Sequence, residues 1–298
     1  MTSPSQPAAA AAQRSVLITG CSSGIGYAAA HDLRARGWRV MASCRREADC
    51  ARLGEEGFAS PLIDYQDEAS IAAGFKEAMA ASGGRLDALF NNGAFACPGP
   101  VEDLPTGALR EIFEANFFGW HELTRRAARV MRAQAPGADG KRGRIVQCSS
   151  VLGFAALKYR GAYVATKFAL EGLTDAMRLE MQGSGVEVIL IEPGPIDTPF
   201  RRNSATAFRK WLMPEGAGAP EGSAHAAAYP EIEARVTAEE GPPNRFELPA
   251  AAVVKKLIHA LESPRPRLRY FVTTPTYIAS LARRVLPTRS LDRFLQNG

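Results

Sequence analysis

Along most of this chain, short apolar runs alternate with longer stretches of helical period. The apolar runs over 16–19, 38–43, 60–63, 86–90, 144–148, 186–191 and 268–272 predict strands. Helices are predicted over 24–36, 68–81, 109–133, 162–181 and 248–261. Gly20 closes the first strand and Gly37 the first helix. Strands alternating with helices of this length imply βαβ units. The fold class is therefore α/β, a doubly wound parallel sheet with helices on both faces, in a single domain over 14–274. Ligands of such sheets bind beyond the C-terminal strand ends. The rhythm breaks over 198–245, rich in Gly, Pro and Ala, which reads as a substrate-binding lid segment.

Composition narrows the class. With 298 residues, 46% of them hydrophobic, the chain can bury a large core, which excludes a disordered protein. The 5 cysteines are odd in number and form no C-x-x-C pair, so they read as reduced thiols in a cytoplasmic protein. His121-Glu122 begins a zinc-like pattern, but Arg125 stands where the second His belongs, so no metal site is expected. No run of apolar residues is long enough to span a membrane. Residues 1–13 lack a charged n-region and read as a disordered lead-in rather than a signal peptide.

Charge is uneven. From Ser263 onward there are seven Arg, no Lys and one Asp, net +6; subtracted from the total of +5, this leaves −1 for the body. In the 275–298 extension, Tyr277, Ile278, Leu281, Val285 and Leu286 recur at helical spacing beside Arg283 and Arg284. Leu291, Phe294 and Leu295 follow Pro287. Such a basic amphipathic helix can lie on an anionic membrane or over a substrate mouth, or pack on the domain or a neighbouring subunit. Packing is the preferred reading. Nucleic acid is a poor partner for a neutral body without base-contacting motifs.

Candidate chemistry sits at the strand ends. Thr19-Gly20-Cys21-Ser22-Ser23-Gly24-Ile25-Gly26 joins the first strand to the first helix. Its glycines allow a tight turn and close approach of a pyrophosphate, which the helix N-terminus attracts; an ordinary turn is the plain alternative. The second strand ends in Ser43-Cys44-Arg45-Arg46 with no carboxylate. An acid there would bind the ribose of NAD, whereas Arg45 offers a guanidinium fork to the phosphate of NADP. NADP(H) is therefore the preferred cofactor and NAD(H) the alternative, against the plain reading of a solvated Arg pair. Tyr163 and Lys167 are four residues apart and share a helix face. A Tyr with a pKa of about 10 is a poor base at neutral pH, and an adjacent ammonium would favour its phenolate.

These motifs resemble the short-chain dehydrogenase/reductase family from about Ser15 to Val272, and the stretches Ser150-Val151-Leu152-Gly153 and Lys167-Phe168-Ala169-Leu170-Glu171-Gly172 resemble its steroid- and retinol-dehydrogenase-like branch. The glycine spacing is that family's T-G-x-x-x-G-x-G, and Tyr163-Val164-Ala165-Thr166-Lys167 is its Y-x-x-x-K. The resemblance implies a Rossmann-like fold and makes Ser150, Tyr163, Lys167 and Asn116 the catalytic set. Ser150 would donate to the substrate oxygen, while Ser149 would bond backbone. Asn116 would hold a water linking the Lys to solvent, its alternative being a polar residue bonded within the helix. Asn91-Asn92-Gly93-Ala94 matches the family's N-N-A-G with the last two residues exchanged, which implies cofactor contact at Asn91 and Gly93. Asp64 matches the adenine-contacting Asp, or serves equally as a turn stabiliser. Pro193-Gly194-Pro195-Ile196-Asp197-Thr198 resembles P-G-x-x-x-T, whose Pro193, Gly194, Ile196 and Thr198 would grip the nicotinamide carboxamide.

Phe95, Leu152, Phe154, Leu157 and Phe200 are candidate pocket residues, each of which could equally be core. They suit a hydrophobic alcohol or carbonyl better than a sugar or an acid. The expected function is hydride transfer between NADP(H) and a hydrophobic secondary alcohol or ketone, or an alcohol/aldehyde pair. The alternatives are a non-catalytic NADP(H) redox sensor, or an isomerase or epimerase of the family. The family also implies a homo-oligomer, a dimer or tetramer.

Overall fold

The computed structural model describes residues 13–214, 218–238 and 245–296. Its strands are β1 (Ser15–Ile18), β2 (Arg39–Ala42), β3 (Ala88–Asn91), β4 (Gly143–Cys148), β5 (Val186–Glu192), β6 (Ile196–Asp197), β7 (Leu248–Pro249) and β8 (Arg269–Phe271). Six form one parallel sheet in the order β2-β1-β3-β4-β5-β8, and β6 pairs separately with β7. Strand side chains alternate between two cores, as a two-residue period requires. Val16, Ile18, Ala88, Phe90 and Val146 enter one, and Leu17, Leu89 and Ile145 the other.

The helices are α1 (Gly24–Ala35), α2 (Glu47–Glu55), α3 (Glu68–Ser82), α4 (Thr106–Phe113), α5 (Gly119–Ala133), α6 (Gly161–Glu180), α7 (Phe200–Trp211), α8 (Tyr229–Thr237), α9 (Ala250–Glu262), α10 (Thr274–Val285) and α11 (Thr288–Gln296). On one face α1 and α9 pack together through Leu33, Val253 and Leu257; on the other, α3 and α5 bring Ile71, Phe75, Leu123 and Met131. The doubly wound architecture read from the alternation is the observed one. A third apolar cluster lies under α7 and α8, around Phe208, Tyr229, Ile232 and Val236.

Several elements differ from expectation. The predicted strand over 60–63 is reduced to two bridges, Met41 with Ala59 and Cys44 with Leu62, because Pro61 between them has no N–H to donate. The long helix over 109–133 is α4 and α5 joined by a wide π-turn at Glu114–Phe118. Its start moves from Leu109 to Thr106. The stretch over 198–245 holds α7 and α8, whereas 215–217 and 239–244 lie outside the described residues, as does most of the predicted lead-in. Thr276, Ala279 and Ala282 bury α10 against the body, while Tyr277, Ile278, Leu281 and Val285 face solvent. The helix thus packs through small residues, not through the apolar stripe that marked it in the sequence. All five cysteines are free thiols.

Candidate active site

Because the sheet is parallel, the loops after β1, β3, β4 and β5 open on one edge. The turn after β1 is shaped by backbone contact. Gly20 and Gly24 hold φ of +67° and +59°, a region that strains any larger residue. A Cβ on Gly26 would stand 2.4 Å from the Gly20 carbonyl oxygen, and one on Gly20 would stand 2.5 Å from Gly93 Cα. The exchanged order in Asn92-Gly93-Ala94 therefore still puts a glycine where the two loops touch. Ser23 opens α1 without a side-chain cap bond, and no acid occupies the first turn. Free helix N–H groups, the hydroxyls of Ser22 and Ser23, and no opposing carboxylate fit the pyrophosphate of a dinucleotide.

At the end of β2 the two arginines are unlike. Arg46 is held by Asp49 at 2.6 Å, whereas exposed Arg45 has no hydrogen-bond or ion-pair partner among the described residues. Arg52, on α2, donates to the Ser22 carbonyl at 2.8 Å and braces the glycine turn. Sequence reasoning missed it because α2 buries only Leu53 and shows no apolar period.

Two residues expected to contact the cofactor also bond within the protein. Asp64 Oδ1 accepts the Gln66 N–H at 3.0 Å, the turn-stabilising arrangement. The Asn91 side chain is fully buried, donating to Thr124 Oγ1 at 2.9 Å and Gln147 Oε1 at 3.0 Å and accepting from the Tyr65 hydroxyl at 2.9 Å. It knits the sheet interior. Neighbouring Thr19 does similar work: its Oγ1 accepts the Asn92 N–H at 2.9 Å and lies 2.6 Å from the Tyr65 hydroxyl oxygen. The Pro193 segment closes onto the glycine turn, with the Thr198 side chain 3.1 Å from where a Gly24 Cβ would stand. Gly194 packs against Thr273, whose Oγ1 would be 2.0 Å from an added Cβ, so only glycine passes there. Ile196 is fixed by pairing with Leu248.

Tyr163 and Lys167 lie one turn apart on α6, and both are buried. Lys167 Nζ donates to the Cys148 carbonyl at 2.8 Å and sits 4.2 Å from the Trp120 ring centre and 5.5 Å from that of Tyr163. Trp120 Nε1 in turn donates to the Gly93 carbonyl at 2.8 Å. Trp120 thus ties the lysine to the loop after β3, a link that a single helical Trp does not signal in sequence. Burial pushes the Lys167 ammonium down to about 8. Burial also raises the Tyr163 phenol well above its ordinary range, against smaller opposing effects of the Ser150 hydroxyl and Arg160. The lowering expected from the Lys167 ammonium is not seen: desolvation of the phenolate dominates, and the opposing effects come from Ser150 and Arg160 instead.

Ser150 follows β4. Its Oγ accepts the Leu152 N–H at 3.1 Å and donates to the Pro193 carbonyl at 3.4 Å, and it also reaches the Tyr163 phenol. Ser149 Oγ is buried and has no hydrogen-bond partner among the described residues, rather than the backbone bond expected of it. Asn116 occupies the wide turn between α4 and α5. Its amide accepts the Phe95 N–H at 3.1 Å and donates to the Phe95 carbonyl at 2.8 Å, pinning the loop after β3 to the helix.

Phe95, Leu152 and Phe200 pack into the apolar cluster that holds Tyr163, with the Phe200 ring 5.4 Å from the Tyr163 ring. Phe154 turns away, to Phe271 at 5.7 Å, and Leu157 is exposed. The cavity of about 270 Å³ between α5 and α6, lined by His121, Arg125, Leu173 and Met177, shares no residue with this cluster.

Known proteins carry the same design. The family model for short chain dehydrogenase matches residues 14–208. An uncharacterized oxidoreductase of Escherichia coli K12, YbbO, is 39% identical over 285 residues, covering 95% of this chain and 94% of the relative. An NADPH-dependent 3-dehydrocapnine reductase of Ornithobacterium rhinotracheale is 30% identical over 284 residues, covering 94% of this chain and 95% of the relative. The crystal structure of a short-chain dehydrogenase from Streptomyces avermitilis superposes with a TM-score of 0.72 at 25% identity, over 95% of this chain and 94% of that one. The chain belongs to the short-chain dehydrogenase family and is an oxidoreductase of that type.

Proposed function

We propose that this enzyme interconverts a hydrophobic secondary alcohol and its ketone, or an alcohol and its aldehyde, using NADP(H), with Tyr163 as acid/base. The observation that carries this reading is the meeting of the Tyr163 phenol, the Ser150 hydroxyl and the buried Lys167 beside an apolar cluster. In the reducing direction, a bound NADPH supplies the hydride to the carbonyl carbon. Ser150 Oγ and Tyr163 Oη both donate hydrogen bonds to the carbonyl oxygen, and Tyr163 gives up its proton as charge develops there. A phenol raised by burial keeps that proton at neutral pH, which suits reduction. Lys167 holds the ribose, and Tyr163 regains its proton along a path past Lys167 and the wide turn at Asn116.

Gly20, Ser22, Ser23, Gly24, Ile25 and Gly26 form the pyrophosphate turn. Pro193, Gly194, Ile196 and Thr198 orient the nicotinamide, and Gly93 flanks the ribose. Unengaged Arg45 and the lack of a carboxylate at the end of β2 support NADP(H) over NAD(H), in line with the NADPH-dependent relative. Residues 14–274 act as the dehydrogenase domain, 198–245 as its substrate lid and 275–298 as an extension, in a cytoplasmic homo-oligomer. Among the described residues no helix is long and apolar enough to cross a membrane. The test is a coupled NADP⁺/NADPH screen of hydrophobic alcohols and ketones on the purified protein. Turnover with NADPH well above that with NADH is expected; tight NADPH binding without oxidation across the panel would replace this reading with a redox sensor.

A further inference from the structure

On the α7–α8 side of the Tyr163 cluster one arginine stands apart from its neighbours. Arg160 is the residue from which α6 starts, three positions before Tyr163. Its side chain lines a small cleft with Lys158, Arg235, Pro98, Ile232 and Val236, the last two belonging to the apolar cluster that holds Tyr163. Each neighbouring arginine has a carboxylate: Arg235 pairs with Glu231 at 2.8 Å, and Arg201 approaches Glu247 at 3.9 Å. The Arg160 guanidinium has neither a hydrogen bond nor an ion pair among the described residues, although the residue is partly buried. Burial, then Arg201 and Arg235, push its guanidinium below the ordinary arginine range, with the Tyr163 phenol near enough to act in the opposite direction. A guanidinium withdrawn from water and facing two like charges is destabilising unless an anion completes it. Its planar fork is suited to an oxyanion group.

We infer that Arg160 anchors an anion subsite, so that the substrate is an amphiphile: an apolar carbonyl or alcohol compound that carries a carboxylate or similar oxyanion on the lid side of the reacting carbon. This rests on the proposed function for the position of the reacting carbon, and it revises the expectation of a purely apolar substrate. The apolar walls of Phe95, Leu152 and Phe200 hold the hydrocarbon part, and Arg160, with Lys158 and Arg235 beside it, holds the head.

Two probes of equal chain length, decanoate and decanol, test this by calorimetry on the full-length protein saturated with NADP⁺, with no turnover required. Decanoate is expected to bind roughly 10- to 100-fold more tightly than decanol, the value of one charge-assisted pair. In Arg160→Met that preference should vanish, and Arg160→Lys should keep part of it as a point charge. Equal binding of the two probes to the wild-type protein would overturn the inference without any variant. So would a loss of NADPH affinity in Arg160→Met and Arg160→Lys with the decanoate preference intact, which would place the arginine on a cofactor phosphate. Failure of the redox reading is seen separately, as absent NADPH oxidation in the carbonyl screen.

Discussion

At the glycine turn, Gly20, Gly26 and Gly93 stand in backbone contact, and a methyl group added at Gly20 or Gly26 has nowhere to go. Under α7 and α8, the Tyr163 cluster is closed by side chains: Phe200, Phe208, Tyr229, Ile232 and Val236. Both regions border one site, yet one is specified by an absence of side chains and the other by their bulk. The first suits a ligand whose shape never changes, such as a dinucleotide. The second can be recut by substitution to fit a different substrate while the chemistry stays in place. The lesson is that binding of the cofactor and choice of the substrate should fail independently.

Substitutions can break that independence or sharpen it. On the lid side, Phe208→Ala removes a fully buried ring and should cost about 3–5 kcal/mol of stability in denaturant unfolding. At permissive temperature its NADPH affinity should stay within a few-fold while KM for hydrophobic substrates rises. Gly26→Ala should do the reverse: overpacking against the Gly20 carbonyl is expected to weaken NADPH binding roughly 100-fold by fluorescence titration. A comparable loss of NADPH affinity in both variants would mean the two regions are not separate. Arg45→Glu should lower kcat/KM for NADPH roughly 10- to 100-fold and leave NADH nearly unchanged. Equal losses with both cofactors would remove Arg45 from phosphate recognition.

The smallest effect is that of pH. With Lys167 held at about 8, its ammonium is present below that pH and lost above it. The reduction rate should therefore be level up to about pH 8 and decline beyond, read from a kcat/KM profile. Linkage gives the matching stability effect. Between about 8 and its ordinary value of 10.5, Lys167 binds fewer protons folded than unfolded, so its contribution makes stability rise with pH there.

The same contrast explains what could be read from the chain alone. The sheet, the glycine turn and the Tyr163-Lys167 pair are carried by local patterns: apolar runs, fixed glycines and an i, i+4 spacing. The segment over 198–245 is harder to read because the face that α7 buries is mostly small residues, Ser204, Ala205 and Ala207 beside Phe208, set in a stretch rich in Gly, Pro and Ala. The engaged states of Asp64 and Asn91, the brace from Arg52, the platform of Trp120 and the isolation of Arg160 are tertiary facts. Each depends on which partner lies opposite, and a single sequence does not state its partners. The raised phenol of Tyr163 belongs with them, since spacing places the lysine but not the depth of burial.

That phenol remains the centre of the account, and Tyr163→Phe isolates it, because the ring stays and only the hydroxyl leaves. Single-turnover reduction under saturating NADPH should slow by roughly 10²- to 10⁴-fold, with NADPH affinity within a few-fold of wild type. A Tyr163→Phe enzyme that kept most of its turnover would contradict the assignment of Tyr163 as the proton donor.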